Sequence, residues 1–275
     1  MHPSHLLKRH IALPQDHGSW VFLLSPLLIG LFAGAHFTPA SAYLILACLG
    51  AFLLRQPVAV LVKTLSGRRP RTERPAAIFW AISYSIVVLG GLVGLVLRGF
   101  AFVLVLAAPG ALVFAWHLWL VSRRRERRQA GVEILATGAL ALSAPAAYWI
   151  GVESYATVGW ALWLLTWLQA AASIVYAYLR LDQKDLPADT PRSATWRAGR
   201  RALLYTSFNL VLSLALGATG WLPRWICLAF LPQWLETLWG INKPAIGWKP
   251  TAVGLRQLAV SALFTLLFIL YWRLA

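Results

Sequence analysis

Residues 41–63 read SAYLILACLGAFLLRQPVAVLVK. A helix needs about 20 predominantly apolar residues to cross the roughly 30 Å hydrocarbon core of a membrane, and this stretch meets that length. Its apolar character is interrupted by Arg55 and Gln56, directly before Pro57, and it ends at Lys63. The stretch therefore predicts a membrane-spanning helix that carries polar groups within the span.

Similar apolar segments recur along the whole chain. They lie at approximately 19–36, 41–62, 76–97, 100–121, 132–150, 157–179, 202–221, 223–239 and 252–272. The eighth is short and contains Pro232, so a re-entrant segment is the alternative there. The pattern predicts an all-α, polytopic bundle of about nine transmembrane helices.

Composition excludes an ordinary water-soluble protein. Of 275 residues, 59% are hydrophobic and 12% are charged, whereas soluble domains average about 25% charged residues. The two cysteines, Cys48 and Cys227, both lie in apolar runs and predict neither a disulfide framework nor a metal site. The net charge of +16 is spread over short clusters between apolar segments. We expect these clusters to face anionic lipid headgroups, and we expect no nucleic acid partner.

The basic clusters also predict the orientation of the chain. Every second connection is basic, and its cations are Lys63, Arg68, Arg69, Arg71 and Arg74; Arg123, Arg124, Arg125, Arg127 and Arg128; Arg180, Lys184, Arg192, Arg197, Arg200 and Arg201; and Lys243, Lys249 and Arg256. The alternate connections are short and hold only Arg98 and Arg224. By the positive-inside rule, the N-terminus is cytoplasmic, and nine spans put the C-terminus outside. We expect one membrane domain, 1–275, with a cytoplasmic tail at 1–18.

Arg55, Gln56 and Lys63 are the first candidate site. Lys63 follows Arg55 by eight residues, about two helical turns, so the two cations share one face of the helix. A phosphate, diphosphate or carboxylate head group could bind between them, and Arg68 in the following loop is a further candidate contact. The alternative is a structural role, in which Arg55 pairs with Glu236 or Glu133 and Lys63 extends to the membrane surface.

Asp182 and Asp185 are the second candidate site, at the end of the sixth segment. On a continued helix, two residues three apart occupy one face, and paired carboxylates there could hold Mg²⁺ together with a substrate phosphate. The alternative is a solvated helix end, because Arg180 and Lys184 are interleaved with the acids.

Two loops complete the set of candidates. NKPAIGWKPTAVGLRQ, at 242–257, enters the last segment, and its Lys243 and Lys249 flank a helix start that could bind an anion or simply cap the loop. PQDHGSW, at 14–20, precedes the first segment. Asp16 could cap that helix or, like His17, belong to a catalytic site as the proton-handling group.

The stretches PQDHGSW at 14–20, RQP at 55–57 with GRRP at 67–70, and KPTAVGLRQ at 249–257 resemble the YwiC-like family of bacterial integral membrane proteins. The resemblance extends over most of the chain. It implies the inner membrane of a bacterium and an organisation of helices rather than a reaction.

A more distant resemblance links the chain to the UbiA-type prenyltransferases. It implies a UbiA-like bundle in which acidic motifs at the cytoplasmic ends of helices two and six bind Mg²⁺ and an isoprenoid diphosphate. In this chain the first motif is replaced by Arg55, Gln56, Ala59 and Lys63, which removes one magnesium cage. The second falls near Asp182 and Asp185, with different spacing.

Three functional hypotheses follow. The first is a cytoplasm-facing pocket for an amphipathic anionic lipid of the isoprenoid diphosphate type, with group transfer as the chemistry of a degenerate prenyltransferase-like enzyme. The second is a transporter or a lipid- or anion-binding protein without catalysis. The third is a structural membrane subunit, which is favoured if the polar groups prove mutually paired with no cavity between them.

Overall fold

The structure, a computed structural model, describes residues 8–14, 17–34, 36–124, 129–187 and 189–275. Within these ranges the chain consists of helices and turns, without a β-strand. The α-helices in chain order are α1 Arg9–Ala12, α2 Val21–Ala33, α3 Pro39–Leu65, α4 Arg74–Leu97, α5 Ala107–Ser122, α6 Ala130–Ala141, α7 Ser143–Gly151, α8 Val158–Gln183, α9 Arg192–Ala218, α10 Leu231–Asn242 and α11 Pro250–Arg273. Short 3-10 helices occupy His17–Trp20, Arg71–Glu73, Ala101–Leu106 and Ile226–Ala229.

Seven helical segments of the described chain are long and apolar enough to cross a membrane. They are Pro39–Leu65, Arg71–Leu97, Ala101–Ser122, Ala130–Gly151, Val158–Gln183, Arg192–Ala218 and Pro250–Arg273. The predicted multi-pass helical protein is therefore confirmed, whereas the count of nine spans is not. The first predicted span forms a shorter apolar helix, Gly18–Ala33. The eighth is divided into Ile226–Ala229 and Leu231–Asn242, with Pro232 in the first turn of α10.

Hydrogen bonds between helix ends define two ends of the bundle. At the basic end, Gln56 Nε2 donates to the carbonyl of His10 at 2.9 Å, and Arg68 donates to the carbonyl of Val121. The ends of α8 and α10 and the start of α11 meet at the same end, where the Gly247 amide donates to the carbonyl of Lys184 at 3.0 Å. At the opposite end, called the far end below, the Trp272 indole donates to the carbonyl of Ala33 at 3.3 Å.

Small residues allow the helices to pack closely. Gly30 of α2 and Gly34, which directly follows α2, lie four residues apart, and they face Ala144 and Gly151 of α7. A Cβ atom built on Gly30 would lie 2.2 Å from the carbonyl oxygen of Ala144. Small residues at this spacing let helix backbones approach each other in membrane proteins, where apolar lipid removes most of the hydrophobic force between helices.

The outward surface is apolar, as lipid contact requires. On α4, Ile86, Leu89, Val93 and Leu97 are 63%, 60%, 55% and 81% exposed. The same holds on α9, where Leu204, Phe208 and Val211 point outward along one face. Contiguous apolar surface of this extent is not found on soluble monomers, and it fits a helical protein that contacts membrane lipids.

We expect Gly30→Ala to lower the thermal unfolding temperature of the detergent-purified protein, because α2 and α7 must separate to admit the methyl group. Forced overpacking of this kind costs typically about 1–3 kcal/mol. Tryptophan fluorescence during heating measures the change. Gly254→Ala in α11 is the matched control, because no atom lies within 4 Å of its built Cβ. An unfolding temperature for Gly30→Ala equal to that of Gly254→Ala would contradict the close approach.

Candidate functional site

A cluster of charged and aromatic side chains lies at the basic end, between α8, α10 and α11. We call it the arginine–tryptophan cluster, and its members are Tyr176, Arg180, Glu236, Trp239, Trp248 and Arg256. It contains two guanidinium groups and one carboxylate, so its formal charge is +1 when all three are ionised. Ionisable groups within membrane helices are expensive and mark functional sites by default.

The carboxylate of Glu236 is fully engaged within the cluster. Arg256 grips it in a two-pronged arrangement, with Nε 2.5 Å from Oε1 and Nη2 2.8 Å from Oε2. The Tyr176 hydroxyl donates to Oε1 at 2.8 Å. Glu236 is only 8% exposed, and paired charged hydrogen bonds of this kind offset the cost of burying its charge.

Arg180 is buried more deeply than Glu236, and fewer of its hydrogen-bonding groups have partners. It is 1% exposed, and its Nη1 lies 2.8 Å from Gln183 Oε1, 2.9 Å from the Gly240 carbonyl and 2.7 Å from the Lys243 carbonyl. All three acceptors are neutral. Its Nη2 has no hydrogen-bond partner among the described residues. A buried charged donor without a partner is costly, so this nitrogen is the group in the cluster best suited to bind an anion.

Aromatic rings surround both guanidinium groups. The Arg180 guanidinium carbon lies 4.8 Å from the ring centre of Trp248 and 5.2 Å from that of Trp239. Arg256 lies 3.8 Å from the ring centre of Trp239. Cation–π contacts at these distances stabilise a desolvated arginine, and both cations share the Trp239 ring.

The loop between α10 and α11 is fastened onto the end of α8. Arg180 binds the Lys243 carbonyl, and the Ala245 amide donates to Gln183 Oε1 at 3.3 Å. Gly247 adopts φ +70°, a conformation that favours glycine, and its amide binds the Lys184 carbonyl. The two lysines predicted to bind an anion, Lys243 and Lys249, are thereby held exposed at the rim of the arginine–tryptophan cluster.

The candidate residues of α3 lie in another part of the basic end. Helix α3 continues through Pro57, so Arg55, Gln56 and Lys63 are on one helix, each half-buried. The Arg55 guanidinium lies 5.2 Å from the ring centre of Phe52. Gln56 is engaged by the N-terminal segment through the His10 carbonyl, which makes it a structural contact of that segment.

The N-terminal candidates are described only in part. Asp16 and the side chain of His17 lie outside the described residues. The backbone from His17 to Trp20 forms a 3-10 helix that packs against α11, and the Trp20 ring lies 4.9 Å from that of Phe52. The end of PQDHGSW thus lies between α3 and α11, where Trp20 and Arg55 both contact the ring of Phe52.

Asp182 and Asp185 are not on one continued helix, because α8 ends at Gln183. Both are exposed, and the Asp185 carboxylate lies 3.7 Å from the Lys184 ammonium nitrogen. Among the described residues, no three His, Cys, Asp or Glu side chains are grouped as metal ligands. Magnesium binding by Asp182 and Asp185 stays a prediction.

The sequence interpretation missed the arginine–tryptophan cluster. It assigned Arg256 to orientation and Arg180 to orientation or to a solvated helix end beside Asp182 and Asp185, and it considered Glu236 or Glu133 as partners of Arg55. Glu236 is bound instead by Arg256 and Tyr176, and Glu133 accepts a hydrogen bond from Tyr178 at 2.7 Å. The available signal was the spacing of Tyr176 and Arg180, four residues apart on one helix face.

Comparison with known proteins finds one family that resembles the N-terminal half of the chain. The family model described as YwiC-like protein matches residues 13–148, which include α2 to α6 and most of α7. This confirms the resemblance in PQDHGSW, RQP and GRRP, but the match ends well before 249–257, where a further likeness was expected. No curated protein and no solved structure matches the chain. Residues 13–148 of the chain are therefore similar to the YwiC-like protein family, and the match does not extend to the C-terminal half.

Proposed function

We propose that this protein binds the anionic head group of an amphipathic molecule at the basic end of its helical bundle. The observation that carries the proposal is Arg180, a buried guanidinium with neutral acceptors on Nη1 and an unpartnered Nη2. An anion at Nη2 would supply both the missing acceptors and the missing negative charge of a cluster whose formal charge is +1.

The proposed ligand carries a phosphate, diphosphate or carboxylate, and an isoprenoid diphosphate is the favoured class. Its apolar tail would lie among the apolar side chains of the surrounding helices. Further cations at the same end raise the local concentration of anions. The proposed further contacts of the ligand are the cations Arg55, Lys63, Arg68, Lys243 and Lys249 and the neutral amide of Gln56.

The proposed setting is the inner membrane of a bacterium, with the basic end in the cytoplasm and a cytoplasmic tail at 1–18. The positive-inside rule supports this orientation, because the long basic loops all belong to one end. Nine crossings are proposed because consecutive segments run in alternating directions between the two ends. Two of these nine segments, α2 and the Ile226–Asn242 region, are shorter than the other seven. The C-terminus would then face the outside.

The proposed chemistry is group transfer onto or from an isoprenoid-like lipid within one membrane domain of UbiA-like architecture. Fixed cations such as Arg55 and Arg180 would neutralise the anion in place of the absent first magnesium cage. Asp16 or His17 would handle the proton. The alternative is binding or transport of the same anion without chemistry.

A thermal shift assay tests the ligand. We expect farnesyl diphosphate to raise the unfolding temperature of the detergent-purified protein, and we expect farnesol to leave it unchanged, because only the first carries an anionic head. At 100 times its Kd, a ligand stabilises the folded state by about 2.7 kcal/mol. Inorganic diphosphate tests whether the head group alone, without the apolar tail, raises the unfolding temperature.

Arg180→Gln should abolish the shift caused by farnesyl diphosphate, because glutamine retains hydrogen bonding but lacks the charge. Arg201→Gln is the matched control, since it removes an exposed arginine from α9 and should keep the shift. Arg55→Leu distinguishes the two groups of cations, and a lost shift there would place α3 in the site. A shift retained by Arg180→Gln would exclude the arginine–tryptophan cluster as the anion site.

Reporter fusions test the orientation. Alkaline phosphatase, which is active only outside the cytoplasm, should be active when fused after Ala275 or in the α4–α5 connection at Gly99. It should be inactive when fused after Pro187 in the basic α8–α9 loop. The reverse pattern would invert the orientation, and activity after Pro187 and Ala275 alike would mean that the intervening segments do not cross an odd number of times.

A further inference from the structure

A file of polar side chains continues from the arginine–tryptophan cluster into the core of the bundle. On α8 it comprises Thr166, Gln169, Ser173, Tyr176 and Arg180, all at most 4% exposed. Their spacing of three, four, three and four residues puts them on one helix face. At 1.5 Å per residue, this stripe is about 21 Å long, a large part of the thickness of a hydrocarbon core.

Neighbouring helices present polar groups to the same file. On α11, Gln257, Ser261 and Thr265 recur every four residues, each at most 7% exposed. Ser173 Oγ donates to Gln257 Oε1 at 2.7 Å. Two turns farther along α11, toward the far end, Thr265 Oγ1 hydrogen-bonds with Ser25 Oγ of α2 at 2.6 Å. Helix α10 adds Gln233, one turn before Glu236.

Among the described residues, all of the buried polar side-chain atoms without a partner except Asn209 Oδ1 belong to this file. Gln169 Nε2, Gln257 Nε2 and both polar atoms of the Gln233 side chain are buried and have no partner within the described residues. Exchanging the amide oxygen and nitrogen of Gln233 would not give it a hydrogen bond, because neither atom has a partner. Buried polar groups in native proteins are otherwise nearly always hydrogen-bonded to protein or to water.

A cavity adjoins the deeper part of the file. Its volume is about 20 Å³, and its polar lining is Ser25, Thr137, Thr166, Gln169 and Ser261. A bound water needs roughly 10–15 Å³ by the same measure, together with two to four polar partners. The cavity therefore has the size and lining for a water, and it is too small for a lipid head group.

An apolar layer closes the file toward the far end. Leu162, Leu165, Phe230, Phe264 and Phe268 are each at most 1% exposed and belong to one packed cluster. Phe264 also lines the cavity, so the aromatic layer begins directly at its wall. Toward the basic end, the file reaches Arg256, whose side chain is 39% exposed.

We infer that the file is a hydrated inlet, in which water bridges the unpartnered amides of Gln233, Gln257 and Gln169, and that it opens only toward the basic end. The ligand of this inlet is water. The inference stands on the amides, the cavity and the apolar layer, and it does not depend on anion binding at Arg180.

Silver ions test the inlet, because Ag⁺ is small and reacts with accessible thiols. In the full chain with Cys48→Ala and Cys227→Ala, single Ser173→Cys and Ser261→Cys variants place thiols in the file. Ser213→Cys is the matched control, a fully buried serine of α9 outside the file. Thiols left unmodified are counted by maleimide labelling after denaturation and intact mass measurement.

We expect both file thiols to react about tenfold faster than the Ser213→Cys thiol, because thiol reactivity follows solvent access. In sealed vesicles of either orientation, the reaction should be fast only when Ag⁺ is added at the basic end. Adding Gln169→Leu to Ser261→Cys should slow it, since an apolar side chain removes the partner of the water. Rates equal to the control would show that the file is not hydrated, and equal rates from both faces would overturn its closure.

Discussion

The cost of burying charge in an apolar bundle governs the arrangement of the C-terminal half. Removing one partner of a buried ion pair typically costs about 3–5 kcal/mol, so Glu236 and Arg256 fix the spacing of α10 and α11. Arg180 adds a second requirement, because its Nη1 needs acceptors deep in the structure. It finds them at the carbonyls of Gly240 and Lys243, where α10 ends and its last carbonyls are no longer used within the helix.

This requirement gives the short helix α10 a physical reason. A longer helix would bond its carbonyls internally, and Arg180 would lose its acceptors. Gly240 also packs against Tyr176, since a Cβ there would lie 2.2 Å from the tyrosine hydroxyl. The end of α10, the turn at Gly247 and Arg180 of α8 therefore form one mutually dependent unit, in which the aromatic rings of Trp239 and Trp248 pack against the guanidinium groups.

The fold class could be predicted from the sequence, because apolar length is a local property and all nine predicted segments are helical in the structure. The number of long spans could not, because Pro232 and the end of α2 near Gly34 shorten helices that hydropathy alone treats as complete. Among candidate residues, Arg55 and Lys63 were placed correctly on one helix, since their spacing is local. The environment of Arg180 was not predicted because two of its three acceptors, the carbonyls of Gly240 and Lys243, lie 60 and 63 residues away in the chain. A charge at the end of an apolar segment has the same local pattern whether it faces lipid headgroups or the core.

The two halves of the chain contribute differently to the interior of the bundle. The family match covers α2 to α6 and most of α7, where close contacts of Gly30 and Gly34 with α7 make a tightly packed wall. The polar groups are concentrated on α8, α10 and α11, beyond the match. The 3-10 helix His17–Trp20 links these two parts, because it contacts α11 and its Trp20 packs against the ring of Phe52 on α3. The aromatic layer of Phe230, Phe264 and Phe268 would have to separate for anything to pass from the polar groups to the far end. This packed layer favours binding or chemistry at the basic end over passage through the bundle.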